Sequence, residues 1–356
     1  MKRKYFLYII LILMIVLVQT VTAETAGEAL IFTQVDKGQT TLMLYETGQP
    51  KPVSIASGKD LKVFIKNKHC FYFVNRQLFE YNLSKHQSKL LNKFTETEIE
   101  MGVAAASNGL NQMVIAAKGA YEINYYILDL KDDSIRRVDY PSNIGAPGGS
   151  NGLATEDQQY LAVPKINFLN SRVELSVARK KGSKFQNIWT LPAGMTVIPE
   201  LLTWSPDSQL LMFHAKKSIG FEGFYSLYCF NVSTQKMQML METVLYRDLI
   251  GAADIEEFLP DWSADSKNLV FQIQPTGSPT QSEIIRYDVK SGKTKSLTKS
   301  SGQNQHPQFS PSGNNIAFLS NRDQGQKQVY LMDSQGEGLK RIVATGNTQW
   351  AQWLNF

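Results

Sequence analysis

Residues 148–152, Gly-Gly-Ser-Asn-Gly, have the spacing G-x-S-x-G, in which a serine nucleophile stands on a sharp turn between a strand and a helix. That chemistry needs a strand before Ser150, a helix after it and a histidine brought alongside as base. Here the serine sits in "SNIGAPGGSNG", a run of glycine, proline and small polar residues, so a loop is expected and no nucleophile. Metal chemistry would need several ligands that converge. The candidates are His69, His86, His214 and His306. His69 and His214 fall in apolar strand-like runs and His86 on a polar turn. His306, in "NQHPQF", precedes a strand and could look toward a central axis, as a binding residue or as a solvent-facing turn residue. Asp132 and Asp133 sit in a turn, and Asp207 and Asp265 recur at one position of a repeated turn, where a carboxylate caps backbone N–H groups. Glu256 and Glu257 lie in an insertion. No catalytic residue, metal ligand or cofactor is expected from these patterns.

The elements that would position any of these residues are repeated. "WSPDSQLLMF" (204–213), "WSADSKNLVF" (262–271) and "FSPSGNNIAF" (309–318) each join an aromatic, a serine, a tight turn and an alternating apolar run. Proline presets φ in such a turn, Asp or Ser caps it, and glycine tolerates φ > 0. Alternation, with Leu211 and Phe213 or Ile316 and Phe318 on one side, marks a strand. A strand–turn–strand phrase follows each copy, as in "EIIRYDVKSGKTKSLT" (283–298), and "VELSVARKKGSKFQNI" (173–188) is a worn version. Apolar runs at 30–34, 71–74, 113–117, 160–164, 210–215, 269–274 and 316–321 stand about 41 to 58 residues apart, close to one four-stranded propeller blade.

The expected fold is therefore all-β, a β-propeller of four-stranded blades, seven in number with six as the alternative. The first unit lacks an aromatic-bearing strand before "LIFTQ", whereas "QWAQWLNF" (349–356) is such a strand with nothing after it. Pairing this C-terminal strand with the N-terminal blade would close the ring, with Trp353 in the place held elsewhere by Trp204, Trp262 and Phe309. "WSPDSQLLMF" and "FSPSGNNIAFLSNRDQGQKQVYLMDSQGEGLKRIV" resemble the WD-repeat-like units of TolB-family propellers. Ser310, Pro311 and Gly313 match that family's turn, and Ser320, Asn321, Arg322 and Asp323 match its S-x-R-D signature. The resemblance covers about 200–345 and implies an exported propeller; it implies nothing about catalysis.

Export is also expected from the N-terminus. Lys2, Arg3 and Lys4 precede the apolar stretch 5–18, and small residues lead to Ala23, the pattern of a signal peptide over 1–23 before a single propeller domain over 24–356. The stretch is shorter than the ~20 residues of a spanning helix, so a membrane link is expected only if the leader stays uncleaved. Without the leader the chain carries 34 basic and 32 acidic residues, a balance that offers no footprint for nucleic acid or an anionic membrane. Two cysteines, Cys70 and Cys229, in apolar runs are expected to be buried thiols, not a disulfide scaffold. On one face of the propeller the chain inserts 139–152, 216–224 and 242–258, and long loops on a rigid scaffold concentrate binding residues. Tyr140, Phe221, Phe224, Tyr246 and Arg247 are of the types enriched at interfaces, and with His306 they are the candidate binding residues. The expected function is that of a monomeric, non-enzymatic protein-binding or scaffold module of the periplasm or exterior, with another envelope or extracellular protein as partner. The rival is a propeller enzyme, a metal-dependent lyase or hydrolase acting on carbohydrate.

Overall fold

The second strands of the repeats are apolar on both faces, so each sheet needs a neighbour on either side. The computed structural model describes residues 28–66, 69–103, 112–119, 122–138, 153–155, 157–167, 172–217, 225–245, 260–273, 281–299, 302–323, 325–342 and 346–354. These form seven antiparallel sheets, and the one helical element among them is a single 3-10 turn, Pro199–Leu201. Phe32, Phe73, Val114, Val163, Phe213, Phe271 and Phe318 each fall in the second strand of a different sheet. In the first sheet, or blade, the innermost strand is the C-terminal Asn347–Leu354, which pairs with Ala29–Asp36. Trp353 lies opposite Leu30 as Trp204 lies opposite Leu211, Trp262 opposite Leu269 and Phe309 opposite Ile316.

Cores form between successive blades. Leu175 and Val177 of blade four meet Leu211 and Phe213 of blade five, whose other face gives Met212 to Trp262, Leu269 and Phe271 of blade six. Val270 and Ile284 of blade six meet Ile316 and Phe318 of blade seven, and Leu319 and Val329 meet Leu30, Phe32 and Trp353 of blade one. Ile31 and Leu44 then meet Cys70 and Tyr72 of blade two, and Phe71 and Phe73 meet Ile99 and Ile115 of blade three. Burial on both faces explains the near-continuous apolar second strands such as His69–Val74 and Asn268–Ile273. The outermost strands, by contrast, are largely exposed, as in Lys184–Thr190 and Gln87–Lys93.

Two boundaries differ from the sequence pattern. Lys216 and Lys217 belong to the strand Leu210–Lys217, and 242–245 belong to Lys236–Leu245, so both connections are shorter than the apolar alternation implies. The cause is backbone pairing beyond the apolar run. Blade five has a split inner strand, Met195–Val197 and Thr203–Trp204, and its first segment pairs with Lys217, Lys216 and Ala215.

The recurring turn behaves as its residue types demand. Ser205 donates to Asp207 (2.6 Å) and accepts from the Leu210 N–H (2.9 Å), while the Gln209 N–H reaches Asp207. Ser263 and Asp265 repeat this, and so do Thr155 and Asp157 of blade four in a copy without the consensus letters. The fourth residue is left-handed in each case, at φ 57° for Gln158, 62° for Ser208, 59° for Ser266 and 73° for Gly313.

Trp353 is 6% exposed, and its indole N–H donates to the Gln308 carbonyl of blade seven (3.3 Å). Trp353→Ala is expected to lower unfolding free energy by about 3–5 kcal/mol in urea titrations. Deleting 347–356 should cost more, because it also bares the edge of Ala29–Asp36.

Candidate functional site

Polar side chains deep in the molecule gather where the innermost strands of blades six, seven and one meet. In the inner strand Asn304–Phe309 the register slips between Gln305 and Gln308, forming a bulge at His306 and Pro307. His306 takes a left-handed φ of 53°, uncommon for a residue with a side chain, and Pro307 has no N–H to offer the ladder. His306 is thus part of the inner strand, not a solvent-facing turn residue ahead of it. It is half-buried, and its N–H donates to Gln272 of blade six (3.3 Å). Burial, aided by the Lys327 charge, pushes its pKa down to about 4, so the imidazole is neutral at pH 7. Gln308 beside it receives the Trp353 N–H (3.3 Å) and donates to the Ala351 carbonyl (3.3 Å).

Asp261 stands one residue before Trp262, where the other copies have Thr203, Gln308 and Gln352. Its carboxylate accepts the Phe309 N–H of blade seven at 2.7 Å. Burial pushes its pKa up to about 7, against the pull of the Phe309 and Trp262 N–H groups. Asp261 and His306 each keep some accessible surface although both lie deep, as residues lining the channel along a propeller axis do. Sequence reasoning passed over Asp261; the available signal was an acid at a position held by Thr or Gln in other copies.

The S-x-R-D segment is a clamp inside blade seven. Arg322 packs over the rings of Phe318 (5.2 Å) and Tyr330 (5.1 Å) and donates to Asn304 (2.6 Å) and Ser320 (3.1 Å). The fully buried Asn304 reaches on to the Ser282 carbonyl of blade six (2.7 Å), and Asp323 accepts from the Tyr330 hydroxyl (2.7 Å). These residues join strands and blades, and their polar groups are engaged.

The remaining histidines do not meet. His69 Nδ1 is 2.6 Å from Glu80, and His86 occupies a left-handed turn position near Tyr81 (3.4 Å). His214 is buried in blade five, its Nδ1 has no hydrogen-bond partner among the described residues, and burial pushes its pKa down to about 3. Among the described residues no three His, Cys, Asp or Glu side chains gather where they could hold one metal ion. Burial pushes both thiols, Cys70 and Cys229, up to about 12, and neither is in a disulfide. Tyr140, Phe221, Phe224, Tyr246, Arg247, the Ser150 motif, Glu256 and Glu257 lie outside the described residues. The last described residues before the segments that carry them, Val138, Lys217 and Leu245, end an outermost, a second and an outermost strand, which run in the same direction within their sheets.

A groove of about 280 Å³ opens between blades five and six, lined by Met212, Leu240, Leu269, Trp262 and Tyr287 among others. Trp204 and Trp353 donate their indole N–H to the inner strand of the preceding blade, at Leu153 (2.8 Å) and Gln308 (3.3 Å). Among the described residues the buried Trp262 indole N–H has no acceptor.

The model of the TolB beta propeller domain matches residues 170–355. The chain belongs to the TolB β-propeller family. The Tol-Pal system protein TolB of Helicobacter hepaticus is 20% identical over 78% of this chain and 63% of its own length, so the chain spans under two-thirds of that relative. TolB of Francisella tularensis subsp. mediasiatica is 33% identical over 24% of this chain and 19% of its own length. Among solved structures, an oligogalacturonate lyase from Vibrio parahaemolyticus superposes with a TM-score of 0.54 at 12% identity, covering 87% of this chain and 94% of the lyase. At that identity the likeness shows the fold alone.

Asp261 supplies a pH test of the axial site in this TolB-family propeller. Its folded pKa lies above its unfolded value, so between pH ~4 and ~7 the folded chain holds a proton that the unfolded chain has released. Its contribution to stability is therefore greatest below pH ~4 and falls as pH rises to ~7. Asp261→Asn keeps an acceptor for Phe309 and should be more stable than the parent at pH 8 by roughly 1–3 kcal/mol, with the difference shrinking toward pH 4. Urea titrations of both proteins across that range read the outcome; a constant difference would contradict a displaced Asp261 pKa.

Proposed function

We propose that this chain is an exported, non-catalytic propeller that binds another envelope or extracellular protein through the face carrying the connections 139–152, 218–224 and 246–259. Membership of the TolB β-propeller family carries the reading. The H. hepaticus relative is by its name a component of a Tol-Pal system, and a module of a multi-protein system works by contact. The axial chemistry supports it too. Gln308 and Asp261 hold neighbouring blades, Arg322 and Asn304 tie blade seven together, and His306 is a lone neutral imidazole. Tyr140, Phe221, Phe224, Tyr246 and Arg247 are the side chains we assign to binding, because aromatic and Arg residues on long loops form interface hot spots.

Export rests on the basic start and apolar stretch of 1–23. Mass analysis of the protein recovered from its native host should find Glu24 as first residue if the leader is removed. Crosslinking in the envelope fraction, followed by Tyr246→Ala with Arg247→Ala, tests the face. The pair should reduce the crosslinked partner more than tenfold, a loss of over ~1.4 kcal/mol, with the melting transition unchanged. An undiminished crosslink would remove these residues from the binding face. Chelator-sensitive cleavage of an acidic polysaccharide by the wild type would replace the binding reading with catalysis.

A further inference from the structure

The near-balance of charge over residues 24–356 hides a local extreme in blade four. Its third strand, Arg172–Lys181, and outermost strand, Lys184–Thr190, join through Gly182 and Ser183, with Gly182 at φ 63° as a two-residue hairpin turn requires. The second strand ends its pairing at Tyr160 opposite Arg179. One more backbone bond, Lys180 N–H to the Gln159 carbonyl (2.8 Å), ties the hairpin down, and beyond it the hairpin pairs only with itself. The projecting part carries Arg179, Lys180, Lys181 and Lys184 and no acidic residue, and all four are exposed. Phe185 at its side is 43% exposed and stands opposite Lys180.

Edge protection by lysine does not account for this arrangement. Lys180 and Lys181 lie on the third strand, not the edge strand, and Lys181 faces Lys184 directly in the register. Like charges directly opposite weaken a hairpin, so the tip is held at a cost to its own stability. Arg179 lies over the Tyr160 ring (5.9 Å), which leaves the three lysines as the outward cationic set. The carboxylate of this blade's inner turn, Asp157, is engaged by Thr155 (2.6 Å) and the Gln159 N–H (3.0 Å). The equivalent turns of blades two, three and six, at the same end of the sheets, add Lys85, Lys131, Lys290 and Lys293, against Asp132 and Asp133 of blade three and Glu337 of blade seven.

The geometry points to this hairpin as a docking element for a membrane surface bearing anionic lipid headgroups. Lysine is depleted at protein–protein interfaces, whereas at a lipid surface lysine stems lie along the boundary with their ammonium groups among phosphates. A solvent-exposed Phe between lysines can enter the headgroup–acyl boundary while the charges hold it there. The hairpin lies at the end of its sheet opposite to that at which second and outermost strands such as those ending at Val138, Lys217 and Leu245 finish, so membrane docking would leave the proposed protein-binding face free. The inference rests on the export proposed above, since export decides that the chain meets a membrane from outside the cytoplasm.

Trypsin cleavage at 179–184 reads docking whether or not the leader is present. The full chain is digested with phosphatidylglycerol vesicles or phosphatidylcholine vesicles, with rates normalised to a soluble arginine substrate to correct for trypsin held by lipid. Cleavage should slow at least about tenfold on phosphatidylglycerol only, and recover in about 0.5 M salt. In Lys180→Gln/Lys181→Gln/Lys184→Gln, Arg179 remains the reporter cut, and its protection should fall below about threefold. Equal rates on both lipids, or undiminished protection in the triple variant, would overturn the assignment. Protection by polyglutamate and by neither vesicle would overturn it in favour of an acidic polypeptide. A failure of export would appear separately, as an unprocessed chain recovered from the cytoplasm.

Discussion

Burial of both faces of the sheets of blades one, two, five, six and seven is the constraint on which this molecule depends. A second strand such as Asn268–Ile273 sends Leu269 and Phe271 to one neighbour and Val270 to the other. No single sheet, nor a pair of them, can cover such a strand. Sheets must therefore follow one another in series, and the N- and C-terminal segments must share a blade so that no apolar face or open edge remains. Asn347–Leu354 meets that need for Ala29–Asp36, and Trp353 covers Leu30 and Phe32 against Leu319 and Val329.

Given that packing, the short turns carry a second layer of cohesion. The Ser–Asp pairs of blades five and six, and the Thr155–Asp157 pair of blade four, satisfy backbone N–H groups that a two-strand reversal would otherwise leave unpaired, and the left-handed fourth residue completes each turn. These turns also touch one another. The Asp207 N–H donates to Ser266 of the next blade at 3.0 Å, and Ser312 N–H donates to Glu28 of blade one at 2.8 Å. The Arg322 clamp acts at the opposite end of blade seven. The signature residues of the family are thus structural, so a match to them reports the fold and is silent about the partner.

The axis shows how a propeller spends polar residues. Gln308 and Asp261 couple inner strands of different blades through backbone N–H groups, which is a positional role and needs no ligand. Asp261 differs from Gln308 in carrying a carboxyl whose charged form its depth disfavours. Among the described residues the blade five–six junction has no indole hydrogen bond like those at the blade four–five and seven–one junctions, and it carries the groove.

Strand number, strand spacing and the partner of the C-terminal strand were legible in the sequence because each rests on local periodicity. An alternating run is a strand wherever it lies, and an aromatic strand without a unit after it has one unit left to complete. The chemistry of Ser205–Asp207 was equally legible, since it closes within five residues. What the tertiary structure alone decided involves depth or register between distant segments. In "NQHPQF" His306 reads either as an axis-facing residue or as a solvent-facing turn residue ahead of a strand, and only the bulge against Asn315–Ser320 puts it inside the inner strand. Asp261 looks like any turn-side acid until Phe309, 48 residues later, delivers its N–H in a place deep enough to push the carboxyl pKa up. The basic run at 179–184 is visible as letters, but its projection beyond Tyr160 is set by where the second strand stops pairing. Periodicity and turn chemistry are properties of neighbours in sequence, whereas desolvation and protrusion depend on which chain segments stand nearby, and that is known only once the sheets have stacked.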